Sequence, residues 1–187
     1  PSGAKTKYKN NVMAIKLLKQ IELEKRTATP EEQIILARYV GWGGLANAFS
    51  STASGWENEY QELKSLLTDV EYKAAMNSTI TAYYTEPDLI RHIYRALERF
   101  GFEGGPDRKI LDPGMGTGNF YSVLPEQFQG SKLFGVELDS ITGRIAKQLY
   151  PDADISIMGY EATKFEDNSF DVILGNIPFN SVKIYDR

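Results

Sequence analysis

The chain has 187 residues, 42% of them hydrophobic and 25% charged, with a formal net charge of -4. That is the make-up of an ordinary globular protein, long enough to bury roughly 70% of its unfolded surface without a staple. With no cysteine, structural disulfides and thiolate metal centres are excluded. The net negative charge excludes a global electrostatic pull on nucleic acid, so any such contact must be local.

No apolar stretch approaches membrane-spanning length and no signal peptide is visible, so no membrane partner and a cytoplasmic location are expected. The chain opens at Pro1 and stops at Arg187 without a closing element, and reads as an excised piece of something longer.

Residues 1–9 are polar and lysine-rich and read as a loose lead-in. From Asn10 to about Arg26, Ala14, Leu17, Leu18 and Ile21 recur at helical spacing. Thr29-Pro-Glu-Glu32 is a capped helix start, and that helix should run to about Val40. Gly41-Trp-Gly-Gly-Leu45 is a glycine-rich turn around Trp42, which reads as packing against the helices. Residues 57–67 look helical, and Thr68-Asp-Val-Glu71 opens a short helix to about Met76. A further helix is expected after Thr85, capped within Thr85-Glu-Pro-Asp88 and closed by Gly101. Lys5, Lys7, Lys9, Lys16 and Lys19 read as a solvated face, and His92 as a surface or packing residue.

After Pro106 the texture changes. Short apolar runs at Lys109–Asp112, Lys132–Leu138, Ile155–Met158 and Phe170–Leu174 alternate with helical stretches at about Asn119–Gln127 and Asp139–Leu149. Such β-α-β alternation implies a mostly parallel sheet with right-handed crossovers. The domain division that follows is 1–78, helical, and 79–187, α/β.

The first of these strands runs into chemistry. Ile110-Leu-Asp-Pro-Gly-Met-Gly-Thr-Gly-Asn-Phe120 ends a strand at Asp112 and turns through Gly114, Gly116 and Gly118. Glycine tolerates positive φ and lets a ligand approach bare backbone, a usual way to hold a nucleoside cofactor at the carboxyl edge of a parallel sheet. Glu137, at the end of the second strand, is placed to accept hydrogen bonds from both ribose hydroxyls. Nicotinamide dinucleotides and S-adenosylmethionine both fit these signals. The fourth strand favours the second, because it leads into Asn176-Ile-Pro-Phe179: an amide, a fixed bend and an aromatic. An exocyclic amine is a poor nucleophile. Two acceptors holding its N–H bonds, the Asn176 side chain and the Ile177 carbonyl, favour its pyramidalisation as the bond to the methyl carbon forms. Phe179 offers a stacking surface for a base swung out of a duplex.

These segments resemble the amino-methyltransferases of DNA. Asp112-Pro-Gly-Met-Gly-Thr-Gly-Asn-Phe120 is similar to motif I of that family, Gly135-Val-Glu137 to motif II, and Asn176-Ile-Pro-Phe179 to motif IV, with Ile177 in place of the usual first proline. Ala82-Tyr-Tyr-Thr85, ahead of motif I, resembles the segment that packs on the methionine end of the cofactor. Tyr39-Val-Gly-Trp-Gly-Gly-Leu45 with Ser78–Thr85 resembles large methylase–helicase proteins of phages and conjugative elements.

The resemblance implies a Rossmann-like α/β methyltransferase fold: the first four strands of a parallel sheet in the order 3-2-1-4, preceded by a helical region. It implies S-adenosylmethionine as cofactor, no metal, and adenine-N6 in DNA as the target, in a bacterial or phage-encoded restriction-modification setting. Tyr84, Thr85, Asp112, Gly114, Gly116, Gly118, Glu137 and Glu161 would bind the cofactor, while Asn176, Ile177, Pro178 and Phe179 would serve catalysis. The fourth strand's apolar edge, Val172–Leu174, invites self-association. Two other readings stay open: a methyltransferase acting on RNA or on protein glutamine, and a degenerate module that binds DNA beside a helicase.

Overall fold

A computed structural model describes residues 3–80 and 85–177. Seven α-helices and four strands are described: α1 (Ala4–Leu23), α2 (Pro30–Leu36), α3 (Glu57–Leu66), α4 (Asp69–Ser78), α5 (Pro87–Arg99), β1 (Lys109–Asp112), α6 (Asn119–Ser122), β2 (Lys132–Glu137), α7 (Ser140–Leu149), β3 (Asp154–Ile157) and β4 (Val172–Ile173). The strands are all parallel, in the order β3-β2-β1-β4. Among the described residues no helix is long and apolar enough to cross a membrane, and no cluster of side chains could hold a metal ion.

The capping boxes form as the sequence requires. Thr29 and Glu32 close the start of α2, and Thr68 and Glu71 that of α4, each side chain taking or returning an otherwise orphaned N–H. Several boundaries differ from expectation. Helix α1 begins at Ala4 rather than near Asn10, because Tyr8 is buried and its hydroxyl donates to the Glu59 carbonyl and to Glu62 on α3. Helix α2 stops at Leu36, not Val40. The buried Asn11 amide accepts from Val40 N–H at 3.0 Å and donates to the Gly41 carbonyl at 2.6 Å, drawing that backbone onto α1. The N-cap of α5 is Glu86, not Thr85. Helix α6 ends at Ser122 instead of Gln127, because Pro125 disfavours helical geometry at Leu124; a separate 3-10 turn covers Glu126–Phe128.

Two cores result. The helical one gathers Tyr8, Ile15, Leu18, Trp42, Phe49 and Leu63. Trp42, 1% exposed, meets Phe49 edge-on at a centroid distance of 5.2 Å, so it packs as expected. The other joins Ile90 and Tyr94 of α5 with Ile110, Phe120, Ile155 and Val172 around the sheet. Helix α7 belongs to both: Ile141 and Ile145 enter the helical core, Ala146 the sheet core. Lys5, Lys16 and Lys19 are engaged rather than merely solvated, pairing with Glu59, Glu62 and Glu71 at 2.6, 2.7 and 3.0 Å.

A charged clamp reinforces the join. Arg144 of α7 donates from Nε and Nη2 to the two Glu22 oxygens and from Nη1 to Glu71, each at 2.7 Å. Burial opposes ionisation of Glu71, but hydrogen bonds from Arg144, Thr68 N–H and Lys19 hold its carboxyl at about 2. A lowered carboxyl contributes stability that is present above its unfolded value of 4.5 and lost as pH falls through about 2. Urea unfolding in that window should show wild type losing stability on acidification that Glu71→Gln, already weakened at neutral pH, does not lose again.

Candidate active site

The carboxyl edge of the sheet holds the chemistry. β1 ends at Asp112, 1% exposed, whose Oδ1 accepts from Gly114 N–H at 3.1 Å. Burial pushes the Asp112 carboxyl up to about 7, with the Gly114 N–H opposing the rise and the Glu137 charge adding to it. The glycine turn then folds over β2. Met115 N–H donates to the Val136 carbonyl at 3.0 Å, and Gly116 N–H donates to Glu137 Oε2 at 2.9 Å. Gly116 and Gly118 both have positive φ, 56° and 88°.

Gly118 is required twice over. A Cβ there would stand 2.3 Å from Tyr150 Cε2, and the Tyr150 hydroxyl donates to the Gly118 carbonyl at 2.9 Å. Burial pushes the Tyr150 phenol up to about 12, so it remains a donor near neutral pH. At Gly135 of β2, where φ is not positive, a Cβ would meet Met115 Sδ at 2.1 Å, so the Met115 side chain would have to shift.

Glu137 ends β2 one strand over. Its Oε1 accepts from Asp139 N–H at 2.8 Å, the residue that caps α7. Burial raises the carboxyl, while the N–H bonds from Asp139 and Gly116 pull the other way. A carboxylate offers about four lone-pair sites. Backbone N–H groups take some of these sites, and the acceptor capacity that remains suits a ribose hydroxyl.

On the other flank, β4 brings Asn176 to the turn. Leu174 N–H donates to the Leu111 carbonyl at 2.9 Å, so pairing runs past the strand end. Gly175 lies so close to β1 that a Cβ would meet Asp112 Oδ1 at 2.6 Å. Next to it, the Asn176 carbonyl is 3.9 Å from where a Gly114 Cβ would be. Asp112, Gly114, Gly116, Gly118, Glu137 and Asn176 are therefore gathered at one edge, with Ile177 following, half-exposed. Glu161 stands in a 3-10 turn after β3, exposed, its carboxylate folded back over Gly159. Thr85 precedes α5. Tyr84, Pro178 and Phe179 lie outside the described residues.

Sequence reasoning did not assign roles to Tyr150, Gly175 or Met115. Gly175 could have been found beside Asn176, as a glycine at a strand end signals close backbone approach. Nothing local marks Tyr150, whose partner precedes it by two helices and a strand.

Residues 111–184 match the family model described as Methyltransferase domain. Defense against restriction protein B of Escherichia phage P1 is 27% identical over 171 residues, covering 90% of this chain and 6% of that protein. Modification methylase CviBIII of Paramecium bursaria Chlorella virus NC1A is 32% identical over 78 residues, 42% of this chain and 21% of that protein. The chain thus spans a small part of the length of both relatives. A TehB-like SAM-dependent methyltransferase from Corynebacterium glutamicum overlaps 48% of this chain and 54% of its own, at 25% identity and a TM-score of 0.32. The type I restriction-modification system methyltransferase subunit from Streptococcus thermophilus overlaps 70% of this chain and 34% of its own, at 17% identity and a TM-score of 0.42. The sheet order and the glycine turn define a Rossmann-like α/β fold, and its residues 111–184 are similar to the methyltransferase domain. The cofactor this implies is S-adenosylmethionine, and the free acceptor sites of Glu137 beside the bare Gly116 backbone fit it.

Gly118→Ala should destabilise the protein by about 2 kcal/mol or more, the left-handed backbone penalty plus the Tyr150 clash, and weaken cofactor binding. Thermal melts and calorimetry with S-adenosylhomocysteine read the two effects. For Asp112 the sign is opposite to that of Glu71. A raised carboxyl contributes stability fully present below its unfolded value of 3.8 and lost as pH rises through about 7. Asp112→Asn should remove that decline, seen by urea unfolding across the same window.

Proposed function

We propose that the chain is the cofactor-binding half of an S-adenosylmethionine-dependent DNA methyltransferase acting on the exocyclic N6 amine of adenine. The observation that carries this reading is the Asn176 backbone carbonyl beside Gly114, which brings that residue to the lip of the cofactor turn. S-adenosylmethionine supplies a methyl carbon attached to a sulfonium leaving group. The chain's own residues hold the cofactor and prepare the nucleophile. Glu137 takes the ribose hydroxyls, and the Gly114–Gly118 turn lines the methionine end. The Asn176 side-chain oxygen and the Ile177 carbonyl accept the two N–H bonds of the amine. Fixed dipoles of this kind stabilise the charge that develops on nitrogen without a base or a metal. Phe179 stacks on the extruded adenine, and Pro178 sets the bend before it.

The names of the two relatives, a defense against restriction protein and a modification methylase, support DNA as the substrate. The first alignment runs over 90% of this chain, so the similarity includes most of the helical region as well as the cofactor site. Base selection belongs to the whole protein. The edge of β4, where Ile173 is 59% exposed, is the surface at which the chain would self-associate.

In the full-length protein, Asn176→Ala should lower methyl transfer to DNA by about 100-fold or more, as removal of an oxyanion-type acceptor does, while binding of S-adenosylhomocysteine persists. Mass spectrometry of digested DNA for N6-methyladenine, beside RNA and protein substrates, is the measurement. Unchanged transfer in the variant, or methylation of RNA or glutamine alone, overturns the assignment.

A further inference from the structure

We propose that Arg144 is a positioning residue for the cofactor's ribose subsite, acting through α7 from the helical layer; the proposal rests on the methyltransferase reading above. Arg144 touches nothing at the carboxyl edge. Its guanidinium turns away from the sheet and is held by both Glu22 oxygens from α1 and by Glu71 from α4. Glu71 is itself fixed by Lys19 at 3.0 Å and by Thr68 N–H at 2.9 Å. The clamp therefore ties two helices, α1 and α4, to one point on α7.

What α7 carries at its other end is the ribose acceptor's support. Asp139 caps the helix, accepting from both the N–H and the hydroxyl of Thr142 at 2.7 Å. The same residue's N–H donates to Glu137 Oε1. The orientation of the Glu137 carboxylate thus depends on where the first turn of α7 sits. The apolar contacts of Ile141 and Ile145 hold α7 against the helical core, but burial is non-directional and leaves rotation and sliding soft. Gly143 packs onto Ile157 of β3, where a Cβ would stand 2.8 Å from Cγ1, so a small turn of the helix changes this contact too. A planar guanidinium bridging two carboxylates is directional and fixes both rotation and height. At the far end, the Gln148 side chain accepts from Ala28 N–H at 2.8 Å and its carbonyl accepts from the Gln33 side chain at 2.7 Å, completing a two-point mount.

The consequence is specific to the ribose hydroxyls. Calorimetry with S-adenosylhomocysteine and with its 2′-deoxyribose analogue separates it from general loosening. Wild type should prefer the hydroxylated ligand. Arg144→Met should weaken that ligand by about fivefold, the equivalent of one hydrogen bond, leave the deoxy analogue nearly unchanged, and so narrow the preference. Glu22→Gln, which leaves Glu71 on Arg144, should give a smaller narrowing and carries the test if Arg144→Met does not fold. Wild-type preference retained in the folded variants, or equal loss of both ligands, overturns the positioning role. Failure of wild type to bind either ligand overturns the cofactor reading itself, and the positioning role with it.

Discussion

One helix of ten residues has to satisfy two cores at once. Helix α7 presents Ile141 and Ile145 to the helical layer and Ala146 to the sheet, and its cap holds the carboxylate that ends β2. Apolar burial on both sides sets where the helix lies, and Arg144 sets how it is turned. The helical layer and the cofactor edge are therefore coupled through a single rigid element. A carboxylate with the ribose role proposed for Glu137 gains from such a mount, because a loosely held acceptor would give back in entropy what its hydrogen bonds contribute.

The cofactor edge itself rests on close approach. Gly118, Gly135 and Gly175 each sit where a Cβ would collide with Tyr150, Met115 or Asp112. Removing side chains at these points lets three chain segments converge: the turn after β1, the end of β2 and the end of β4. Convergence also excludes water, and its cost is visible in Asp112, buried with a raised carboxyl and one backbone N–H as partner. Methyl transfer from a sulfonium needs no metal and no strong base from the protein. On the proposed function, an edge built from glycine backbone, one acceptor for the ribose and one amide for the amine is sufficient in kind.

Much of this was legible in the residues, and the exceptions share a cause. The capping boxes at Thr29 and Thr68 are local, so Thr, Glu and their spacing specify them without help. The strands were legible because four apolar runs alternate with helical stretches. Their ends were less so: β4 is two residues long, and α6 is cut short by Pro125. The lead-in became helix because Tyr8 and Lys5 find partners on α3, about fifty residues away in sequence. The early end of α2 is likewise decided by Asn11, which reaches Val40 and Gly41 from another helix.

By itself, then, the sequence determined the elements whose causes lie within a few residues: caps, the glycine turn after Asp112, and the order of strands and helices. It also named residues that the structure brings to that edge: the strand-end acid Asp112, the spaced glycines after it, and Asn176. Tertiary structure alone decided that Asn176 lies beside Gly114, that Tyr150 locks Gly118, and that Arg144 reaches both Glu22 and Glu71. Those contacts join residues far apart in the chain, and their geometry follows from how two cores share α7.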